Sequence, residues 1–179
     1  MGLSIVRRPA ISYDARGLVK THGRRKPVRG VWHSTECGDA AGISELEGIV
    51  AYWRRQNLGY GAHVIVDKDG LSAMCANPSE ICWAVEGRNT GTFSVEMVGY
   101  AKFTPKLWWL RQKQLREVAR WMAWLNVEYN VPLTFDVEHG WSRHLDQSRV
   151  FGGSHTDPGR GFPMGYVLRL ARRYRRDGW

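Results

Sequence analysis

Residues 143–162 read RHLDQSRVFGGSHTDPGRGF. This run crowds His144, Asp146, His155 and Asp157 into a Gly-rich segment, and Asp157-Pro158-Gly159 has the composition of a tight turn. Such a segment adds little to a core but can hold side chains at fixed angles around an ion. Far upstream, the β-rich run VRGVWHST at 28–35 ends in polar residues and puts His33 at a strand end. A catalytic zinc takes three His or carboxylate ligands and keeps a fourth position open. His33 and Asp157 fit because each lies at the end of a structured element, beside a Gly or polar turn. His144 can reach Asp157 because the chain between them is Gly-rich. On spacing alone, each histidine can equally be a polar residue satisfied by one hydrogen bond.

Outward from these two anchors the chain alternates strand and helix signals. In ISELEGIVAYWRRQN, Ile43, Leu46, Val50 and Trp53 recur at helical spacing, with Gly59 as a stop. AHVIVDKDGLSAMCA reads as two strands joined at Lys68-Asp69-Gly70. TFSVEMVGY at 92–100 is a further strand. Thr104-Pro105 is an N-cap followed by Pro at the first helical position, and it predicts one helix to about Asn130. The motif region that follows is expected to be loop, and Met164 to Arg176 a last, basic helix. Residues 1–29, basic and broken by Gly and Pro, read as an N-terminal arm of the same domain, with 30–179 as its body. The order predicts an α/β fold, a sheet with helices packed on it.

The 179 residues suit one domain with a proper core, and 43% hydrophobic residues with nine Trp exclude a disordered chain. A net charge of +9 suits an anionic polymer, whether nucleic acid, membrane or bacterial wall, although most of the cations read as a solvated face. No apolar run is long enough to cross a bilayer, and MGLSIVRRPA lacks a signal-peptide core, so no cleaved signal is expected. Cys37, Cys75 and Cys82 form no C-x-x-C, which argues against a disulfide framework or a thiolate zinc cluster. No helix-turn-helix, zinc-finger or RNA-binding signature is present.

Four pieces, in order over residues 30–162, resemble the zinc-dependent N-acetylmuramoyl-L-alanine amidases of the type-2 family, whose fold is shared with peptidoglycan recognition proteins and phage endolysins. VRGVWHST resembles the first strand with its zinc-ligand His, here His33. GYGAHVIVDKDG resembles a strand and turn bearing a His, here His63. CWAVEGRNTGTFSVEMVG resembles a Trp-bearing loop leading to a strand with a Glu, here Trp83 and Glu96. RHLD with SHTDPGRGFP resembles the second and third ligands, here His144 and Asp157. The chain departs from the pattern at Ala62, where some members have a Tyr (Tyr60 lies two residues earlier), and at His155, where many have a Lys. It departs again at Arg143-His144, usually Gly-His. His139 therefore stays open as an alternative to His144.

The resemblance implies a single mixed β-sheet flanked by helices. It also implies hydrolysis of the amide between N-acetylmuramic acid and L-alanine by zinc-activated water, with His33, His144 and Asp157 on Zn2+. Glu96 would move the proton and His155 would donate to the oxyanion. Trp83 and His63 would be substrate-binding, although His63 also reads as a satisfied sheet residue and Trp83 as a groove wall. Asp146 reads as a carboxylate that orients a ligand or closes a turn. The expected partner is bacterial peptidoglycan, without nucleic acid or membrane insertion, and the expected state is a monomer. A phage endolysin held in the host cytoplasm until release is the implied setting. The alternatives are a non-catalytic peptidoglycan-binding module and a cytoplasmic recycling amidase acting on soluble muropeptides.

Overall fold

The computed structural model describes residues 6–56 and 60–178; the proposed stop at Gly59 lies outside them. Six strands form one mixed sheet: β1 (Tyr13–Asp14), β2 (Arg29–Ser34), β3 (Val64–Val66), β4 (Ser72–Met74), β5 (Thr92–Met97) and β6 (Trp141–Arg143). Their order is β1-β4-β3-β5-β2-β6. β3 and β4 are the antiparallel hairpin expected around Asp69-Gly70, and the other neighbours are parallel. Among the described residues five helices accompany it: α1 (Ile43–Gln56), α2 (Pro105–Trp109), α3 (Gln112–Tyr129), α4 (His144–Phe151) and α5 (Met164–Asp177).

The strand period of two sorts side chains to opposite faces. Val64 and Val66 join Trp32, Phe93, Val95 and Met97 in a core under α3 and α5. Ile65, between them, joins Ala73, Val98 and the α1 residues Leu46, Ile49 and Val50 on the other face. Mostly parallel central strands buried on both faces explain why β2, β3 and β5 are nearly continuous in buried residues.

Two expectations are corrected. The helix predicted from Pro105 to Asn130 is two helices. Arg111, between them, leaves helical geometry at ψ 42, and its buried guanidinium bonds the Val98 carbonyl, Gln114 and Asp39. Those tertiary bonds override the helical pattern. Second, the region after Pro132 is not all loop, because β6 and α4 lie within it. The Asp146 carboxylate accepts the Arg143 backbone N–H at 3.1 Å and pairs with its guanidinium at 2.7 Å, which caps α4. Residues 6–29 pack into the same domain as the rest of the chain. Val6, Ala15 and Val19 are buried, and β1 pairs with β4 as the edge strand.

Candidate metal centre and catalytic cleft

Three elements bring the candidate ligands together. His33 is the last residue but one of β2, and His144 opens α4 directly after β6, which pairs with β2. Asp157 follows the Gly152-Gly153 break, where both glycines have left-handed φ of 85° and 147°. The Leu145 N–H donates to the Asp157 carbonyl at 2.8 Å and so holds the turn against the start of α4.

The side chains converge. His33 Nδ1 lies 3.2 Å from one Asp157 oxygen and His144 Nδ1 lies 3.2 Å from the other. One candidate ligand atom from each of the three residues lies within 4.8 Å of the others. All three are buried, at 3%, 4% and 9% exposure. Burial alone would raise the Asp157 pKa, but the contacts from His144 and His33 outweigh it and hold the carboxyl well below the usual carboxylate range. Burial lowers the pKa of His144, against the pull of Asp157, and keeps its imidazole neutral and able to ligate. Neither ring has a hydrogen-bond partner at Nε2. Two imidazoles and a carboxylate form the donor set of a catalytic zinc. Atoms placed around one tetrahedral zinc at its usual bond lengths lie about 3.3 Å apart; the two histidine–Asp157 contacts are near that distance, and the whole group falls within 4.8 Å. The residues fit the ion. His139 is exposed, its backbone N–H bonded to Asp136, and it stands outside the group.

Glu96 is the register partner of His33 across β2 and β5. Burial, then the nearby Asp157 and Glu36 carboxylates, push its pKa well above the usual range. It opens into a cleft of about 520 Å³ walled by Thr35, Glu36, Glu45, Tyr52 and Trp53. A second cleft flanks the group on the side of His155, lined by Tyr60, Trp83, Ala84, Glu86 and Asn89. The His155 ring stacks on His144 at 3.8 Å and stays 45% exposed at its side chain. Trp83 is half-exposed, with one indole face on His22 at 3.7 Å.

His63 does not join them. It is fully buried, its Nδ1 accepts the Ser94 N–H at 3.1 Å, and its Nε2 faces the Glu80 carbonyl at 2.8 Å. Both ring nitrogens are committed inside the sheet, so the expected substrate contact is replaced by a structural role. Sequence reasoning missed Glu36, Tyr52 and Trp53 as cleft walls. Trp53, at a helical-period position of α1, packs against the buried residues on that face of the sheet and lines the cleft as well.

The sequence profile of the N-acetylmuramoyl-L-alanine amidases matches residues 23–160, most of the chain. The chain belongs to this family. A comparison with curated proteins by sequence finds no match. Among solved structures, this amidase-family chain is similar to the Staphylococcus aureus hydrolase AmiA in complex with its ligand, with a TM-score of 0.71 and 17% identity over 97% of this chain and 89% of that one. It is also similar to PlyL, with a TM-score of 0.66 and 18% identity over 96% and 100% of the two chains. The endolysin amidase LysCS from Clostridium intestinale aligns with a TM-score of 0.61 and 16% identity over 91% and 97%. These likenesses show a shared fold, the one expected from the four sequence pieces.

Proposed function

We propose that this amidase-family protein binds bacterial peptidoglycan and hydrolyses the amide joining the lactyl group of N-acetylmuramic acid to L-alanine, with zinc held by His33, His144 and Asp157. The observation that carries the reading is the buried meeting of these three side chains beside Glu96, their neighbour across the β2–β5 register. A zinc ion there would supply a Lewis acid for the carbonyl and make a bound water acidic enough to attack near neutral pH.

The chain's own residues do the rest. Glu96, with its raised pKa, takes the proton from the attacking water and returns it to the departing alanine amine. His155, on the rim and stacked on His144, donates to the oxygen that becomes an oxyanion. Trp83 and Tyr60, half-exposed beside His155, offer aromatic faces to a sugar ring. A complete ligand group together with Glu96 favours an enzyme over a non-catalytic binding module. The net charge of +9 favours an intact anionic wall over small soluble fragments, and so an endolysin role. No described helix is long and apolar enough to cross a membrane.

The test is mass analysis of purified sacculi after digestion. New lactyl ends paired with free alanine amines, lost on chelation and restored by zinc, are the expected result. New reducing sugar ends, or activity indifferent to chelator, overturn the proposal. Cleavage of soluble muropeptides without clearing of sacculi transfers the role to wall recycling.

A further inference from the structure

Glu36 is one of two described non-glycine residues in the left-handed region, at φ 54°. The other, Asn130, ends α3, where Asn is a common choice. Glutamate is not, because its Cβ crowds the following carbonyl in that conformation. Strain of this sort persists where surrounding bonds over-determine the backbone, and it clusters at functional sites.

The surrounding bonds run in one direction. The Thr35 and Glu36 N–H groups donate to the Met97 and Gly99 carbonyls, both at 3.0 Å, and so carry the β2–β5 pairing past the strand ends. The Gly99 N–H donates to Thr35 Oγ1 at 3.2 Å. Glu36 Oε1 accepts the Ser34 hydroxyl and the Ala101 N–H, each at 2.6 Å. One carboxylate oxygen therefore ties the residue after His33 to the segment 99–103.

That segment is the bed on which the third ligand's turn lies. A Cβ added at Gly159 would sit 1.8 Å from the Ala101 carbonyl oxygen, and one at Gly161 would sit 2.2 Å from that of Phe103. The two backbones touch with no side chain between them. Contact thus passes from His33 through Ser34, Glu36, Ala101 and Gly159 to the Asp157 turn.

We infer that Glu36 is a positioning residue for the metal-ligand group: its carboxylate sets the distance between the end of β2, with His33, and the turn that carries Asp157. The inference rests on the metal-dependent reading above. Glu36 touches neither ligand, and its left-handed backbone aims the carboxylate at Ser34 and Ala101.

The test compares zinc affinity of the full chain, stripped of metal, by competition with a chromophoric chelator, alongside Tm. Glu36→Gly relieves the backbone strain while removing the carboxylate. It is expected to keep Tm and to bind zinc about 10–100-fold more weakly, the usual cost of losing a group that orients a ligand. Glu36→Gln keeps one oxygen acceptor and is expected to stay within about threefold of wild type. Should the glycine variant fail to fold, Glu36→Asp serves instead, since its oxygen is withdrawn by one methylene from Ala101 and the same weakening is expected. The visible spectrum of the cobalt-substituted chain should change in Glu36→Gly or Glu36→Asp and not in Glu36→Gln. Wild-type zinc affinity in the glycine or aspartate variant overturns the role, as does an equal loss in Glu36→Gln, which would mean that charge and not hydrogen bonding matters. A wild-type chain that takes up no zinc overturns the metalloenzyme reading itself, a result distinct from either.

Discussion

At the residue scale, two titratable groups on neighbouring stretches of the sheet, Glu96 in β5 and His63 just before β3, have opposite fates. Glu96, opposite His33, keeps a carboxylate open to a cleft. Glu96→Gln keeps the shape and loses the base, so hydrolysis should fall by about 10²–10⁴ while zinc uptake is retained; lost zinc uptake would make Glu96 a ligand-side residue. His63 is closed off on all sides. Burial lowers its pKa from 6.5 to about 4, against the Glu80 carbonyl, which favours the charged ring. The unfolded chain takes up a proton below its ordinary pKa and the folded chain does not until about 4, so stability is full above pH 6.5 and drains away as the pH falls toward 4. The loss should approach roughly 3 kcal/mol. Urea unfolding at pH 7 and pH 4.5 checks it: His63→Gln should be less stable at pH 7 but lose much less on acidification. Equal acid losses in both chains would place the acid sensitivity elsewhere.

At the element scale, α4 decides where His144 enters the site, because His144 is its first residue. It is one short helix with an exposed Val150 and Phe151 at its end, so its apolar pattern barely marks it as a helix. What starts it is Asp146, whose carboxylate accepts the Arg143 N–H and pairs with a guanidinium only 10% exposed. Asp146→Ala removes the cap and leaves a nearly buried cation without its partner. It should cost about 1–3 kcal/mol in thermal unfolding of the metal-free chain and weaken zinc binding, because His144 is the first residue of that helix. A change within about 0.5 kcal/mol would mean that β6 and the Asp157 turn hold His144 without it. The split between α2 and α3 has the same origin. Side-chain bonds from Arg111 to Val98 and Asp39 outweigh a local preference for continuing the helix, which is worth only tenths of a kcal/mol per residue.

At the scale of the whole molecule, the site exists because segments 124 residues apart in sequence meet, and backbone contacts hold the meeting. Gly159 is needed for close approach, not for a special φ. A methyl at that position would drive into the Ala101 carbonyl at 1.8 Å, and neither segment can yield without moving a ligand-bearing turn. Gly159→Ala should therefore cost about 1–3 kcal/mol or more and also lower zinc affinity. A variant with wild-type unfolding and wild-type zinc binding would show that the two segments are free to separate.

The residues alone determined the period-two strands, the Asp-Gly hairpin, the α/β order and the identity of His33, His144 and Asp157 as candidate ligands, because each is encoded in local pattern or in a short motif. Local pattern also read 131–163 as loop, while the family resemblance left His139 and His144 as rivals and put His63 among the substrate contacts, although its alternating run also read as that of a satisfied sheet residue. The tertiary structure decided these points. Which histidine faces Asp157, which ring is sealed in the sheet, and which carboxylate ends a strand beside an open cleft all depend on parallel pairing between β2, β5 and β6. Such pairing joins stretches far apart in the chain, and no window of neighbouring residues contains it.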